Sequence, residues 1–145
     1  MWVVVHTCVG FALGALFWER LGWPWWLVAV IVLVSHPLLD LIPHWDYVFT
    51  EKRVAWGCVD LFASLATCVA LPALGAPLAL VVLGPISGAP DFDVLTNTLT
   101  GSRLRHWFPS HWDRFPHGEC GPRLGVALQA AIMAGATLVV VAIGW

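Results

Sequence analysis

Residues 35–47 read Ser35-His36-Pro37-Leu38-Leu39-Asp40-Leu41-Ile42-Pro43-His44-Trp45-Asp46-Tyr47. This segment ends a long apolar run and contains two histidines and two aspartates, although only 11% of the chain is charged. His36 and Asp40 are four residues apart, so a helix places them on one face, one turn apart. Pro43 ends or bends that helix, and His44 and Asp46 follow where the backbone can turn. Imidazole and carboxylate groups at this spacing predict a divalent-metal site at the end of a helix.

The composition indicates an integral membrane protein. Hydrophobic residues make up 59% of the 145 residues, and the mean hydropathy is +0.81. Soluble domains average about 45–50% apolar and about 25% charged residues. Since the chain has no basic block, we expect no nucleic-acid partner. The four cysteines lack C-x-x-C spacing and are expected to be buried apolar residues.

Five apolar segments predict a single all-α membrane domain over residues 1–145, a helical bundle of about five spans. A spanning helix needs about 20 mostly apolar residues. The predicted spans are residues 2–18, 25–42, 54–71, 78–89 and 124–144, with a polar and aromatic loop over residues 91–122. Pro37 predicts that the second helix is broken, and Gly84-Pro85 and Gly88-Ala89-Pro90 predict breaks in the fourth. Because similar Pro-x-x-Asp segments follow both helices, a parallel two-helix repeat is a further hypothesis.

The charges predict how the bundle is oriented. With five spans, the N-terminus, residues 43–53 and residues 91–122 share one face. That face carries six of the seven basic residues, Lys52, Arg53, Arg103, Arg105, Arg114 and Arg123, and only Arg20 lies opposite. By the positive-inside rule this face is cytoplasmic, so we expect a bacterial-type inner (plasma) membrane protein with its site on the cytoplasmic side.

All six histidines and most acidic residues map to this same face. No arginine or lysine lies inside a predicted span, so a bound cation is the expected partner of the buried carboxylates. The predicted metal ligands are His6, His36, Asp40, His44, Asp60, Asp91 and Asp93. The alternatives are a hydrogen-bonded core histidine for His6 and pairing of Asp60 with an arginine or a backbone N–H group.

The predicted loop interleaves aromatic and basic residues. Its tryptophans and phenylalanines are expected at the depth of the lipid headgroups. For His111 and His117, a role in the site and a solvated loop position are both open, whereas His106 is expected to be a solvated residue. In an active site, His111 or His117 would protonate the leaving group. Arg103 or Arg105 would hold a phosphate.

The motifs His6-Thr7, Ser35-His36-x-x-Leu39-Asp40-x-x-Pro43-His44 and Gly88-Ala89-Pro90-Asp91-x-Asp93 resemble those of a known family. This family consists of small inner-membrane proteins described as membrane-bound, metal-dependent hydrolases. The family's His-Arg and nearby Thr-His-Ser are replaced by Arg105-His106 and Ser110-His111. The His-x-x-x-Asp pair is also similar to one in zinc-dependent phospholipase C enzymes, which implies phosphoester chemistry.

The sequence therefore predicts a membrane-embedded hydrolase with one or two divalent ions, zinc above others, acting on a lipid or lipid-linked phosphoester. The lipid bilayer is its expected environment, and a homo-oligomer or a larger membrane complex is compatible with the ten tryptophans. The alternative is a non-catalytic subunit of a membrane complex in which the His/Asp cluster is structural. A transport function ranks last, because the outer halves of the first, third and fifth predicted spans contain few polar residues.

Overall fold

The computed structural model describes residues 1–101 and 105–144, and 75% of it is helical. No strand occurs in these two ranges, which confirms the all-α prediction for the described residues. The α-helices are α1 (Val3–Leu13), α2 (Trp25–Asp40), α3 (Arg53–Ala73), α4 (Leu78–Gly88), α5 (Phe92–Thr100) and α6 (Pro122–Ile143). Helix α1 continues as a π-helix over Gly14–Arg20, and short 3-10 turns cover Tyr47–Phe49, Ala89–Asp91 and Pro109–His111.

Four helical segments are long and apolar enough to cross a membrane. They are Val3–Arg20, Arg53–Ala73, Leu78–Thr100 and Pro122–Ile143. Helix α2 is apolar, but its 16 residues fall short of the about 20 that a span perpendicular to the bilayer needs. By length and composition these helices are consistent with a polytopic membrane bundle, in which one apolar helix is shorter than predicted.

The predicted break of the fourth helix at Gly88-Ala89-Pro90 is confirmed, whereas the predicted breaks at Pro37 and Pro85 are wrong. Helix α2 runs unbroken through Pro37 and ends at Asp40, because a proline removes only one main-chain hydrogen bond. The fourth segment runs through Pro85, is interrupted by the Ala89–Asp91 turn and resumes as α5. The polar loop therefore begins at Gly101, which has the positive φ typical of a helix C-terminus, and not at Asp91.

Helix α1 forms the centre of the bundle and packs against α2, α3, α4 and α6. Eight of its eleven residues are buried, as expected for a helix that is apolar on all sides. Gly10 allows α1 to approach α4 closely, since a Cβ at Gly10 would lie 2.7 Å from the Leu83 carbonyl oxygen. Helices α3 and α6 instead expose large apolar side chains such as Phe62, Val69 and Val141, which suits contact with lipid.

The polar ends of the helices meet at one end of the bundle. The Asp60 carboxylate of α3 accepts hydrogen bonds from the backbone N–H groups of Val3 and Val4 at 2.9 and 2.8 Å. Gln129 of α6 accepts from the Trp2 N–H at 3.0 Å and donates to the Trp45 carbonyl at 3.1 Å. These contacts tie the starts of α1, α3 and α6 to the segment after α2.

Candidate metal centre

Histidine and aspartate side chains from separate helices converge at this polar end. Helix α1 supplies His6, α2 supplies His36 and Asp40, the Ala89–Asp91 turn supplies Asp91, and the long loop supplies His111. His6, His36 and Asp40 are fully buried, and Asp91 is 4% exposed. His6 Nε2 lies 3.3 Å from Asp40 Oδ1 and 3.6 Å from Asp91 Oδ2. The helix ends thus bring together residues separated by as many as 105 positions (His6 to His111).

The ring of His36 is oriented by a main-chain contact. Its Nδ1 lies 2.8 Å from the carbonyl oxygen of Ser87, which can only accept, so Nδ1 carries the proton that it donates. In the neutral ring, Nε2 therefore presents a lone pair to the cluster. Around Nε2 lie Asp40 Oδ2 at 3.2 Å, Asp91 Oδ1 at 3.7 Å and His111 Nε2 at 3.4 Å.

His111 is oriented in the same way by a carboxylate. Its Nδ1 lies 2.9 Å from Asp93 Oδ1, and its Nε2 lies 3.2 Å from Asp91 Oδ1. The other oxygen of Asp93 accepts a hydrogen bond from the Trp107 N–H at 2.8 Å. A carboxylate behind a histidine that faces a metal is a recurrent arrangement in metalloproteins. Asp93 thus lies where it would orient His111, and its role as a direct ligand stays a prediction.

Several atoms of the cluster are buried without a hydrogen bond. Asp40 Oδ2, Asp91 Oδ2 and both ring nitrogens of His6 have no hydrogen-bond partner within residues 1–101 and 105–144. The ion pairs of Asp40 and Asp91 in the described chain come from histidines and from the Met1 amino group, 3.3 Å from Asp40 Oδ1. A buried polar atom that lacks a hydrogen-bond partner lowers the stability of the folded protein. A cation among these atoms would satisfy them.

The distances from His36 Nε2 to its neighbours are close to those between ligands of one metal ion. Zinc lies about 2.0–2.1 Å from a histidine nitrogen, which puts neighbouring ligand atoms about 3.3–3.4 Å apart. His36 Nε2 lies 3.4 Å from His111 Nε2 and 3.7 Å from Asp91 Oδ1 in one set, and 3.2 Å from Asp40 Oδ2 in another. The buried histidines and aspartates could hold a divalent ion.

Four sets of three residues have ligand atoms within 4.8 Å of one another. The sets are His6/His36/Asp40, His36/Asp91/His111, Asp40/His44/His117 and Asp93/His106/His111. The first two share the single lone pair of His36, so they are alternative positions of one ion. In the fourth set, the hydrogen bond between His111 and Asp93 already uses two of the ligand groups. We refer to the first two sets together as the His36 site.

Asp60, which we predicted as a ligand, belongs to none of these sets. Its carboxylate accepts hydrogen bonds from the N–H groups of Val3 and Val4 and, at 3.0 Å, from the Tyr47 hydroxyl. The first N–H groups of a helix lack partners within the helix, and a carboxylate satisfies them. The alternative that Asp60 pairs with backbone N–H groups is therefore the one found in the structure.

The structure places the three loop histidines at different depths. The side chain of His106, expected to be solvated, is 40% exposed, and its Nδ1 lies 3.4 Å from Asp93 Oδ2. His117 is exposed at the rim of the cluster, whereas His111 is inside it. Sequence spacing gave no signal for His106, because its position depends on how the loop folds over α5. Arg105 is exposed, and Arg103 lies outside the described residues.

A cavity of about 850 Å³ opens above the cluster. Its walls come from the segment after α2, from α5 and from the long loop. Among the residues that line it are His44, Arg53, Asp91, His106, His111 and His117. The volume is within the about 300–1,000 Å³ of small-molecule sites. A substrate in this cavity would lie directly against the candidate ligands.

Zinc binding is expected to weaken as the pH falls. Burial lowers the pKa of His111, but the hydrogen bond to Asp91 and the charges of Asp91 and Asp93 outweigh burial, so this pKa lies above the ordinary 6.5. Below the raised pKa, zinc must displace a proton from Nε2, and the apparent Kd should rise about tenfold per pH unit. Competition with a chelator of known affinity between about pH 8 and about pH 5 measures this slope. A constant Kd over that range would contradict histidine ligation.

Comparison with models of protein families, with curated proteins and with solved structures found no match for this chain. The resemblance drawn from the short motifs therefore stays a prediction. The geometry shows a buried set of nitrogen and oxygen atoms that could hold a metal ion. These atoms lie beside an open cavity.

Proposed function

We propose that this protein is a membrane-embedded, metal-dependent hydrolase that cleaves a phosphoester bond of a lipid or lipid-linked substrate. The observation that carries the proposal is a set of buried histidine and aspartate atoms that have no hydrogen-bond partner in the described part of the chain and lie at the polar end of the bundle, directly below an open cavity. A purely structural site would not need a cavity at its ligand atoms. Catalytic zinc sites, in contrast, keep one position open for water or substrate.

Zinc is the ion that the donors favour. Histidine nitrogen and carboxylate oxygen suit zinc, and His36, Asp91 and His111 can supply three protein ligands, as in catalytic zinc sites. Asp40 and His6 lie beside them and add further donors. Bound zinc would supply a water molecule whose pKa is lowered to about 7, which is a hydroxide source at neutral pH.

The other residues have roles that follow from their positions in the cavity. Arg53 lines it, and its guanidinium can bind a phosphate by two hydrogen bonds. When water attacks phosphorus, the ester P–O bond breaks and the leaving oxygen takes up a proton. His106 lines the cavity within 3.4 Å of Asp93, so it is a candidate donor of that proton. The predicted acid His111 is assigned here to the ligand set.

An apolar groove of about 410 Å³ supports a lipid substrate. It lies between α1, α3 and the α4–α5 segment, and its walls include Val3, Leu65, Cys68 and Phe92. Trp107 also lines the groove, and its backbone N–H donates to Asp93 of the His/Asp cluster. A hydrocarbon chain in this groove would place its headgroup end beside the cavity. The excess of basic residues on this face favours the cytoplasmic leaflet of an inner membrane.

The proposal is tested with the full-length protein purified in mild detergent. Elemental analysis should find stoichiometric zinc, and the protein reconstituted with phospholipid vesicles should release a phosphorylated or dephosphorylated headgroup product. A zinc chelator should stop product release, and added zinc should restore it. Protein free of metal would refute the metal site. Protein with bound zinc but without turnover on any phosphoester lipid would instead identify a structural metal site.

A further inference from the structure

We propose that the protein binds a second divalent ion through Asp40, His44 and His117, beside the His36 site. This inference rests on the proposed metal-dependent function and deepens it, since it makes the centre dinuclear. The ligand atoms of these three residues lie within 4.8 Å of one another, although 77 positions separate Asp40 from His117 in the sequence.

His44 is prepared for this role by its surroundings. The residue is 1% exposed, and its Nδ1 lies 2.8 Å from the carbonyl oxygen of Ile42. Because a carbonyl can only accept, Nδ1 carries the proton and Nε2 is left with a lone pair. The ring of His117 lies 6.2 Å from that of His44, centroid to centroid. A main-chain contact thus fixes His44 in the tautomer that a metal requires, as the Ser87 carbonyl does for His36.

Main-chain hydrogen bonds bring His117 to this position. The Gly118 N–H donates to the Asp40 carbonyl at 2.9 Å, and the His44 N–H donates to the Gly118 carbonyl at 2.5 Å. The Cys120 N–H completes the contact by donating to the His44 carbonyl at 3.0 Å. A Cβ at position 118 would lie 2.6 Å from the Ile42 carbonyl carbon, so only glycine fits between the two segments. These main-chain contacts hold residues 117–120 against the segment after α2, and they keep His117 close to His44.

Counting lone pairs shows that two ions can be held together. The Asp40/His44/His117 set shares no residue with the His36/Asp91/His111 set, so neither ion would take a ligand from the other. Asp40 has two oxygens, of which Oδ2 faces His36. It can therefore bind the second ion and still lie beside the first.

The cluster contains charges of both signs. Asp40, Asp91 and Asp93 are all at most 5% exposed and contribute three negative charges when ionised, and the Met1 amino group, 3.3 Å from Asp40 Oδ1, contributes one positive charge when protonated. A metal ion bound through Asp40 Oδ1 would take the place of this ammonium group beside the carboxylate. His44 and His117 also line the cavity, so the second ion would face the substrate. Two adjacent ions stabilise both the attacking and the leaving oxygen of a phosphoester.

The test is a zinc titration of the full-length protein in detergent, read by elemental analysis after removal of free metal. We expect two equivalents of zinc in the wild type and one equivalent in His117→Ala. Because the side chain of His117 is exposed, this variant should fold normally. Gly118→Ala, which disturbs the contact with Ile42 but keeps every ligand, should also hold one equivalent. The control Arg114→Gln, an exposed change in the same loop, should hold two.

The outcomes separate this inference from the proposed function. One equivalent in the wild type, unchanged in His117→Ala, would overturn the second site and leave the His36 site intact. Two equivalents in both the wild type and His117→Ala would also overturn it, since the second ion would then lie elsewhere. No zinc in the wild type would refute the proposed function together with this inference.

Discussion

Replacing His36 with alanine is expected to remove zinc from the His36 site and abolish hydrolysis. His36 Nε2 belongs to both alternative sets of that site, so no neighbouring set can replace it. Loss of an outer-shell partner typically costs 10–100-fold in metal affinity or activity, and loss of this direct ligand should cost more than about 100-fold. Zinc content by elemental analysis and product release from vesicles measure the two effects.

A stability measurement shows whether the loss arises from the metal or from misfolding. Zinc at 100 times its Kd should stabilise the wild type by about 2.7 kcal/mol, because it binds only the folded state. Thermal unfolding of His36→Ala should show a smaller gain at the same zinc concentration, limited to what the proposed second ion contributes. Leu38→Ala, a change at a 60%-exposed position of the same helix, is the control and should retain the full gain. An equal gain in His36→Ala would mean that this imidazole is not a ligand.

The parts of this site that depend on local spacing could be predicted from the sequence. His36 and Asp40 share a helix face because they are four residues apart, and the alternating direction of apolar helices brings His6 and Asp91 to the same end. The direction of the lone pairs could not be predicted, because it depends on the Ser87 and Ile42 carbonyls. A sequence pattern does not show which main-chain carbonyl will accept a hydrogen bond from a given histidine.

The sequence missed the contacts of Asp60 and of His106 for the same physical reason. Asp60 was predicted to bind metal because a carboxylate in an apolar helix needs a partner, and the start of a different helix provides that partner. His106 was expected to be solvated because the spacing of the loop histidines matches no known ligand signature; its side chain is 40% exposed, but its Nδ1 also lies 3.4 Å from Asp93 Oδ2. In both cases the sequence shows a polar side chain that requires a partner, whereas the group that it contacts depends on the tertiary structure.

Filling the apolar groove is expected to impair hydrolysis of long-chain lipids while leaving the metal centre intact. Leu65 of α3 lines the groove and is 52% exposed, so a tryptophan there would occupy the space of a hydrocarbon chain. One methylene in an apolar pocket is worth about 10–200-fold in discrimination, so Leu65→Trp should lower kcat/KM for a long-chain substrate at least about tenfold. Hydrolysis of a short-chain, water-soluble phosphodiester and the zinc content should stay unchanged.

Val59 provides a matched control on the same helix. It is 49% exposed, close to the value for Leu65, but it does not line the groove. Val59→Trp therefore adds a bulky side chain to the membrane-facing surface without filling the groove, and both substrates should be hydrolysed at wild-type rates. If Leu65→Trp and Val59→Trp behave alike on the long-chain lipid, the groove does not hold the substrate chain. If Leu65→Trp slows both substrates equally, the tryptophan acts on the metal centre through Asp93 and Trp107, and the hydrocarbon chain must lie elsewhere.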